Sequence, residues 1–281
     1  MSLSSATEVQ RCRPLLGTFV EVRVTGFDDA ALASAVEKAF AQIERIQSLM
    51  SVHDSASELS RVNAKAFYSP VRVGEETFEV LRRGLEIARD SDGGFDFTVA
   101  PILASWGLLP AHLCRRAQGN WRDVVLQRGN RVSFTRPLAI DLGGIAKGFA
   151  VDAAIASLHG SKVQSALVNA GGDLRAFGSR VSLIHLRDPL PPHLLSHALE
   201  LRDAALASSS PCFTECRWRR QTVSHLVNPR ELRAVTGGIS VTVRARECWV
   251  ADALTKVVMN ASPRAEHLLA KHDAEAFVFT A

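Results

Sequence analysis

Between residues 31 and 50, apolar side chains recur at Leu32, Val36, Ala39, Phe40, Ile43, Ile46 and Leu49, a spacing of three and four that predicts an amphipathic helix. Just before it, residues 19–25 alternate apolar and polar side chains, the period of a half-buried strand. A second helix is predicted over 77–89 and ends at Gly93-Gly94. Apolar runs on either side of Arg128-Gly129-Asn130 predict a β-hairpin over 124–134. Leu138 and Ile140 read as strand, and from Lys147 onward Phe149, Val151, Ala154, Ile155 and Leu158 recur at helical spacing. Strands follow near 163–169, 181–186, 197–201, 222–227, 239–245 and 275–280, with helices near 249–259 and 263–271. Strands crowd the second half without regular strand–helix alternation, which predicts an α+β fold rather than a doubly wound parallel sheet.

Composition bounds this picture. The 281 residues, 47% of them hydrophobic, can bury a large core as one domain or two intimately packed lobes. The net charge of +4, from 33 basic and 29 acidic residues, suits an anionic ligand and argues little for nucleic acid; Arg217, Arg219 and Arg220 around Trp218 read as a solvated face. No apolar run approaches the ~18 residues of a membrane span. Residues 1–12 are polar, read as an N-terminal tail, and lack the apolar core of a signal peptide, so a cytoplasmic location is expected, or a periplasmic one if an export signal has been removed. The five cysteines are odd in number and scattered, as free thiols in a reducing compartment would be. Cys212 and Cys216 have no second ligand pair at zinc-finger spacing.

The candidate chemistry centres on residues 139–152, Ala-Ile-Asp-Leu-Gly-Gly-Ile-Ala-Lys-Gly-Phe-Ala-Val-Asp. Gly143 and Gly144 before a helix, with Lys147 at its start, would aim backbone N–H groups, the positive end of the helix dipole and a full charge at one place, as a phosphate site does. The match is to neither GxGxxG nor the Walker lysine pattern, and a packing turn is the competing reading. A second glycine turn, Gly171-Gly172-Asp173, follows the apolar strand ending at Asn169.

With Ser224-His225-Leu226-Val227-Asn228-Pro229-Arg230, Ser240-Val241-Thr242-Val243 and Ala251-Asp252-Ala253-Leu254 following in order, the chain resembles the ApbE flavin transferase family (FAD:protein FMN transferase). The earlier segments Pro14-Leu15-Leu16-Gly17-Thr18, Met50-Ser51 with Ser57-Glu58-Leu59, and Gly93-Gly94-Phe95-Asp96-Phe97-Thr98-Val99 agree in the same order, so the resemblance covers residues 13 to 260.

The resemblance implies a mixed, two-lobed fold over residues 13–281 with FAD in the cleft between lobes. It further implies Mg²⁺-dependent transfer of FMN from FAD to a Ser or Thr hydroxyl of an acceptor flavoprotein, with AMP leaving. By the same likeness, the FAD neighbours are Met50, Asp96, Thr98, Gly143, Gly144, Lys147, Gly171, Gly172 and Asp173; His225 is the candidate base, Lys147 steadies phosphate charge, and Mg²⁺ is held by the Ala146 carbonyl and Asp252. Read without the motif, His225 is a strand histidine bonded to backbone. The chain departs from the pattern where Lys256 replaces a Thr one helical turn after Asp252, where Asn228 replaces an Asp, and across residues 208–213. Thr255 could complete the metal site, or the Lys256 ammonium could stand in the metal's place. The alternative function is an FAD-binding protein with an impaired metal site and no transferase activity.

Overall fold

The computed structural model describes residues 6–189 and 195–280. The chain opens with β1 (Thr7–Leu15) and β2 (Thr18–Gly26), followed by α1 (Asp29–Met50), α2 (Glu58–Lys65), β3 (Val71–Arg72), α3 (Glu75–Asp90) and α4 (Ala100–Ser105). Next come β4 (Val124–Gln127), β5 (Arg131–Phe134), α5 (Ala146–Leu158), β6 (Val163–Ala170) and β7 (Asp173–Gly178). The strands β8 (Ser182–Arg187), β9 (Leu195–Leu201), β10 (Ala205–Ser209), β11 (Cys216–Trp218), β12 (Gln221–Val223), β13 (Val227–Asn228), β14 (Arg233–Ala234) and β15 (Ile239–Ala245) precede α6 (Cys248–Met259), α7 (Ala265–Lys271) and β16 (Glu275–Thr280).

Seven strands form one antiparallel sheet in the order β1-β2-β6-β7-β10-β15-β16, and α1, α5 and α6 cover one of its faces. Strand alternation decides which side chains meet those helices. Val20, Val22, Val24, Val168, Val241 and Val243, all fully buried, point into the main core, while their neighbours Leu167, Leu174 and Leu206 form a smaller cluster on the other face with Ile184 and Leu199 of the β8–β9 hairpin. The fold is α+β, as the strand distribution predicts.

Two local expectations change. The polar tail expected over residues 1–12 is strand from Thr7, in unbroken register with β2 from Thr7↔Gly26 to Leu15↔Thr18; residues 1–5 lie outside the described residues. This edge strand leaves most of its side chains in solvent and tolerates Pro14, so it carries no apolar alternation to read. Leu138 and Ile140 are buried but belong to no ladder. The side chain of Asn63 takes the place of a neighbouring strand: its Nδ2 donates to the Ile140 carbonyl at 2.9 Å and its Oδ1 accepts the Ile140 N–H at 2.8 Å. An amide side chain presents one donor and one acceptor, as a peptide unit does, and satisfies this buried backbone without a strand.

Candidate functional site

Two helices and a hairpin turn build the site. α5 starts at Ala146 with no side-chain cap, but the protein closes much of its N-terminus: the Ala146 N–H donates to the Leu142 carbonyl at 2.8 Å and the Gly148 N–H to Asp252 Oδ2 at 3.1 Å. The open array of N–H groups expected there is therefore reduced. Gly143 and Gly144 serve close approach, since a Cβ would stand 2.9 Å from the Asp141 carboxylate at 143 and 3.2 Å from the Phe95 ring at 144. Gly171 and Gly172, with φ of +65° and +102°, are the two-residue turn joining β6 to β7, where positive φ at both central positions matches the strand twist. Asp173, the first residue of β7, is thereby set beneath Lys147.

α6 brings the other half. Asp152 of α5 accepts from the N–H groups of Cys248 (3.0 Å) and Trp249 (2.9 Å), capping α6, and pairs with Arg175 at 2.6 Å. Held against α5 in this way, α6 buries Asp252 and Thr255 completely and brings Lys256 to the cleft. Lys256 Nζ donates to Asp252 Oδ1 and, at 3.1 Å, to the Asp252 carbonyl. Lys147 Nζ donates to Asp173 Oδ2. Desolvation pushes Asp252 upward, but Lys147 and Lys256 outweigh it and hold this carboxyl below its usual range. Desolvation likewise disfavours the Lys147 ammonium, yet Asp173 and Asp252 hold it charged beyond the ordinary lysine range.

These groups border a cleft of about 480 Å³. Of the residues expected at the site, Asp96, Gly143, Gly144, Lys147, Gly171 and His225 line it, together with Lys256. Asp173 and Asp252 lie under the two lysines, and Gly172 faces a second cavity of about 790 Å³ on the helix-free face of the sheet. Three expected neighbours are occupied with local structure. Met50 ends α1 inside the core, Thr98 is buried and donates to the Gly119 carbonyl at 3.2 Å, and Asp96 accepts from the Thr98 N–H at 2.9 Å and the Trp121 N–H at 3.0 Å. His225 is exposed at the cleft edge.

Asp141 also lines the cleft, which sequence reasoning missed although it stands two residues before Gly143; desolvation pushes its carboxyl upward against the pull of the Gly143 N–H and the charges of His225 and His53. Asn228, standing for an aspartate, accepts from the Arg230 N–H (3.0 Å) and the Glu231 N–H (3.2 Å), an Asx-type turn that an amide oxygen serves as well as a carboxylate. Across residues 208–213 the hydroxyls bond locally: Ser208 with Thr242 at 2.8 Å, Ser209 with Thr255 at 2.8 Å, and Ser210 to the Ile239 carbonyl at 2.8 Å.

Of the three oxygens expected for Mg²⁺, those of Asp252 and Thr255 are engaged by other partners as these residues stand. Thr255, expected as a ligand, donates its hydroxyl to the Asp252 carbonyl at 2.7 Å and is bonded at 2.8 Å to Ser209 of β10. Both Asp252 carboxylate oxygens have N–H partners, one of them an ammonium. Among the described residues no group of three or more His, Cys, Asp or Glu side chains is arranged to hold a metal.

A seven-stranded antiparallel sheet backed by three helices, with a lysine-faced cleft at the junction of two of them, defines an α+β fold. A profile of the ApbE family matches residues 16–278, and the chain belongs to that family. A relative from Vibrio cholerae named FAD:protein FMN transferase is 25% identical over 282 residues, covering 90% of this chain and 81% of its own; another of the same name from Haemophilus influenzae is 25% identical, covering 85% and 77%. Among solved structures, the flavin transferase ApbE from Vibrio cholerae superposes with a TM-score of 0.81 at 24% identity over 98% of this chain and 94% of its own. The apo flavinyl transferase ApbE from Pseudomonas stutzeri does so with 0.83 at 23% identity over 99% and 92%, and both likenesses establish the shared fold.

Proposed function

We propose that this protein transfers FMN from FAD to the hydroxyl of a Ser or Thr on an acceptor flavoprotein, releasing AMP. The observation that carries this reading is the pair of ammonium groups, Lys147 and Lys256, facing one cleft with His225 at its edge. Displacement at phosphorus asks a protein mainly for positioning and charge neutralisation. In the step, the acceptor oxygen forms a bond to the FMN phosphorus and the bond to the bridging diphosphate oxygen breaks. AMP leaves with that electron pair, and the hydroxyl proton passes to His225. Lys147 and Lys256 neutralise the diphosphate beside the Gly143-Gly144 turn, which lines the same cleft. The relatives' shared name supports the reading. Mg²⁺, which the family resemblance implies, takes no part in this step as the residues stand.

The test incubates the purified protein with FAD and a bacterial flavoprotein subunit carrying a modifiable Ser or Thr, and follows AMP by chromatography and the acceptor by mass. AMP and an FMN-bearing acceptor are expected. Tight FAD binding with neither product would reduce the protein to an FAD-binding one, a reading that the replacement at Lys256 favours.

A further inference from the structure

We propose that the Lys256 ammonium serves in this chain as the built-in cation of the site, so that FAD is held without a divalent metal. The inference rests on the FAD reading above and deepens it. Asp252 and Lys256 stand one helical turn apart on α6, and the ammonium reaches back to both the carboxylate and the main-chain carbonyl of Asp252. An ammonium has three donors, and two are thus engaged, leaving the third for an oxygen in the cleft.

Exposure sets the polarity of the arrangement. The side chains of Lys256 and Lys147 are 17% and 32% exposed, whereas those of Asp252 and Asp173 are 0% and 2%. The four charges sum to zero, yet the carboxylates form the floor and the ammonium groups the surface, so an incoming diphosphate meets positive charge first. The same carboxylates aim the two ammonium groups through hydrogen bonds.

A divalent cation would have to displace this arrangement. Two of its three expected oxygen ligands would come from Asp252, whose carboxylate is bonded to Lys256 and to the Gly148 N–H, and from Thr255, whose hydroxyl is bonded to Ser209 and to the Asp252 carbonyl. Mg²⁺ demands several oxygens in near-octahedral geometry, and here one Asp252 oxygen is already held by an ammonium and the other by a main-chain N–H. Lysine supplies charge without that geometry, which suffices for binding a diphosphate.

The experiment titrates the full chain with FAD, by quenching of flavin fluorescence, in EDTA and in Mg²⁺. The Lys256→Met and Lys256→Thr variants are titrated alongside, and Mn²⁺ binding in the presence of FAD is read by electron paramagnetic resonance. For the natural chain, FAD affinity is expected to agree within about twofold between EDTA and Mg²⁺, with no bound Mn²⁺. Lys256→Met is expected to weaken FAD by roughly tenfold, the value of one charge-assisted hydrogen bond, and to leave riboflavin binding unchanged. Lys256→Thr should recover FAD affinity only with Mg²⁺ and acquire a Mn²⁺ signal. Loss of FAD binding by the natural chain in EDTA, or stoichiometric Mn²⁺ in it, would overturn the inference and leave the FAD reading standing. Failure to bind FAD under either condition would instead overturn the FAD reading itself.

Discussion

Gly148→Ala tests how the site is held together, because two effects of opposite sign compete there. In an exposed helix interior, replacing glycine by alanine stabilises by about 0.8–1 kcal/mol. Gly148 is instead the point where α5 crosses the start of α6, and a Cβ would lie 2.4 Å from the Cys248 carbonyl oxygen, 2.6 Å from its carbon and 2.8 Å from the Trp249 Cα. These are backbone atoms and cannot rotate away. Restoring ordinary contact requires the helices to part by about 1 Å, and overpacking of this kind costs roughly 1–3 kcal/mol. The same movement stretches the Gly148 N–H bond to Asp252 and the two bonds from Asp152 that cap α6, each a bond to a charged acceptor worth about 1.5–3 kcal/mol when intact. With partial relaxation the net expectation is a loss of about 2–4 kcal/mol, a fall in Tm of roughly 3–7 °C for a chain this long. FAD affinity should drop as well, since Asp252 and Lys256 move with α6. Differential scanning calorimetry and a flavin titration read both effects. A variant as stable as the parent or more so, with FAD affinity unchanged, would refute the crossing-point argument, because helix propensity would then have won.

Asn63→Leu should destabilise by about 2–4 kcal/mol in chemical denaturation, because the buried N–H and carbonyl of Ile140 both lose their partner. Asp252→Ala should destabilise as well as impair FAD binding: the carboxylate is wholly buried and its removal leaves the Gly148 N–H and the Lys256 ammonium unpaired, a change of about 3–5 kcal/mol measured in urea. His225→Asn should retain FAD affinity while AMP release with an acceptor falls by roughly 10²-fold or more, the contribution of a positioned base. On α3, hydrogen bonding from Arg82, opposed by desolvation and aided by Arg83, lowers Glu79 from 4.5 to about 2. Its folded-state pKa lies below the unfolded one, so its contribution to stability is present above pH 4.5 and is lost as the pH falls toward 2; Glu79→Gln should flatten the Tm–pH profile in that window only.

What the sequence made legible follows from which residues face the core. β2 and α1 are half-buried with a regular period, so Val20, Val22 and Val24, and Leu32, Val36, Phe40 and Ile43, disclose their elements directly. β10 is short and, Leu206 apart, made of Ala and Ser, β7 is six residues entered through Gly171-Gly172, and α2 has eight residues, each too brief or too small-sided to show a period. At the site the glycine turns, Lys147, Asp173 and Asp252 were readable as an ordered set of motifs. Their pairing was not, because it depends on α5 and α6 crossing at Gly148, a contact between residues a hundred positions apart. Met50 and Thr98 stand in motif segments, yet packing and a backbone bond account for them, and neither signal separates such residues from ligand neighbours in one sequence.

The three departures from the family pattern divide in the same physical way. Asn228 keeps the one property its position uses, an oxygen that accepts two main-chain N–H groups to close the 228–231 turn, and the turn in turn lets Arg230 reach the carbonyls of Ser91 and Asp92. That replacement is therefore compatible with an unchanged scaffold. The residues at 208–210 turn their hydroxyls to β15 and α6, and Ser209 in particular engages Thr255, so this segment removes an oxygen from the cleft while tightening α6 against β10. Asn228 removes a carboxylate outside the cleft lining, whereas Lys256 places an ammonium in it. A Thr255 hydroxyl turned inward and a Lys256 ammonium turned outward are one arrangement of one helical turn: freeing Thr255 for a metal would break its bond to Ser209 and still leave the ammonium on Asp252. The two replacements therefore act together, and restoring threonine at 256 supplies an oxygen facing the cleft while leaving the Ser209–Thr255 bond in place.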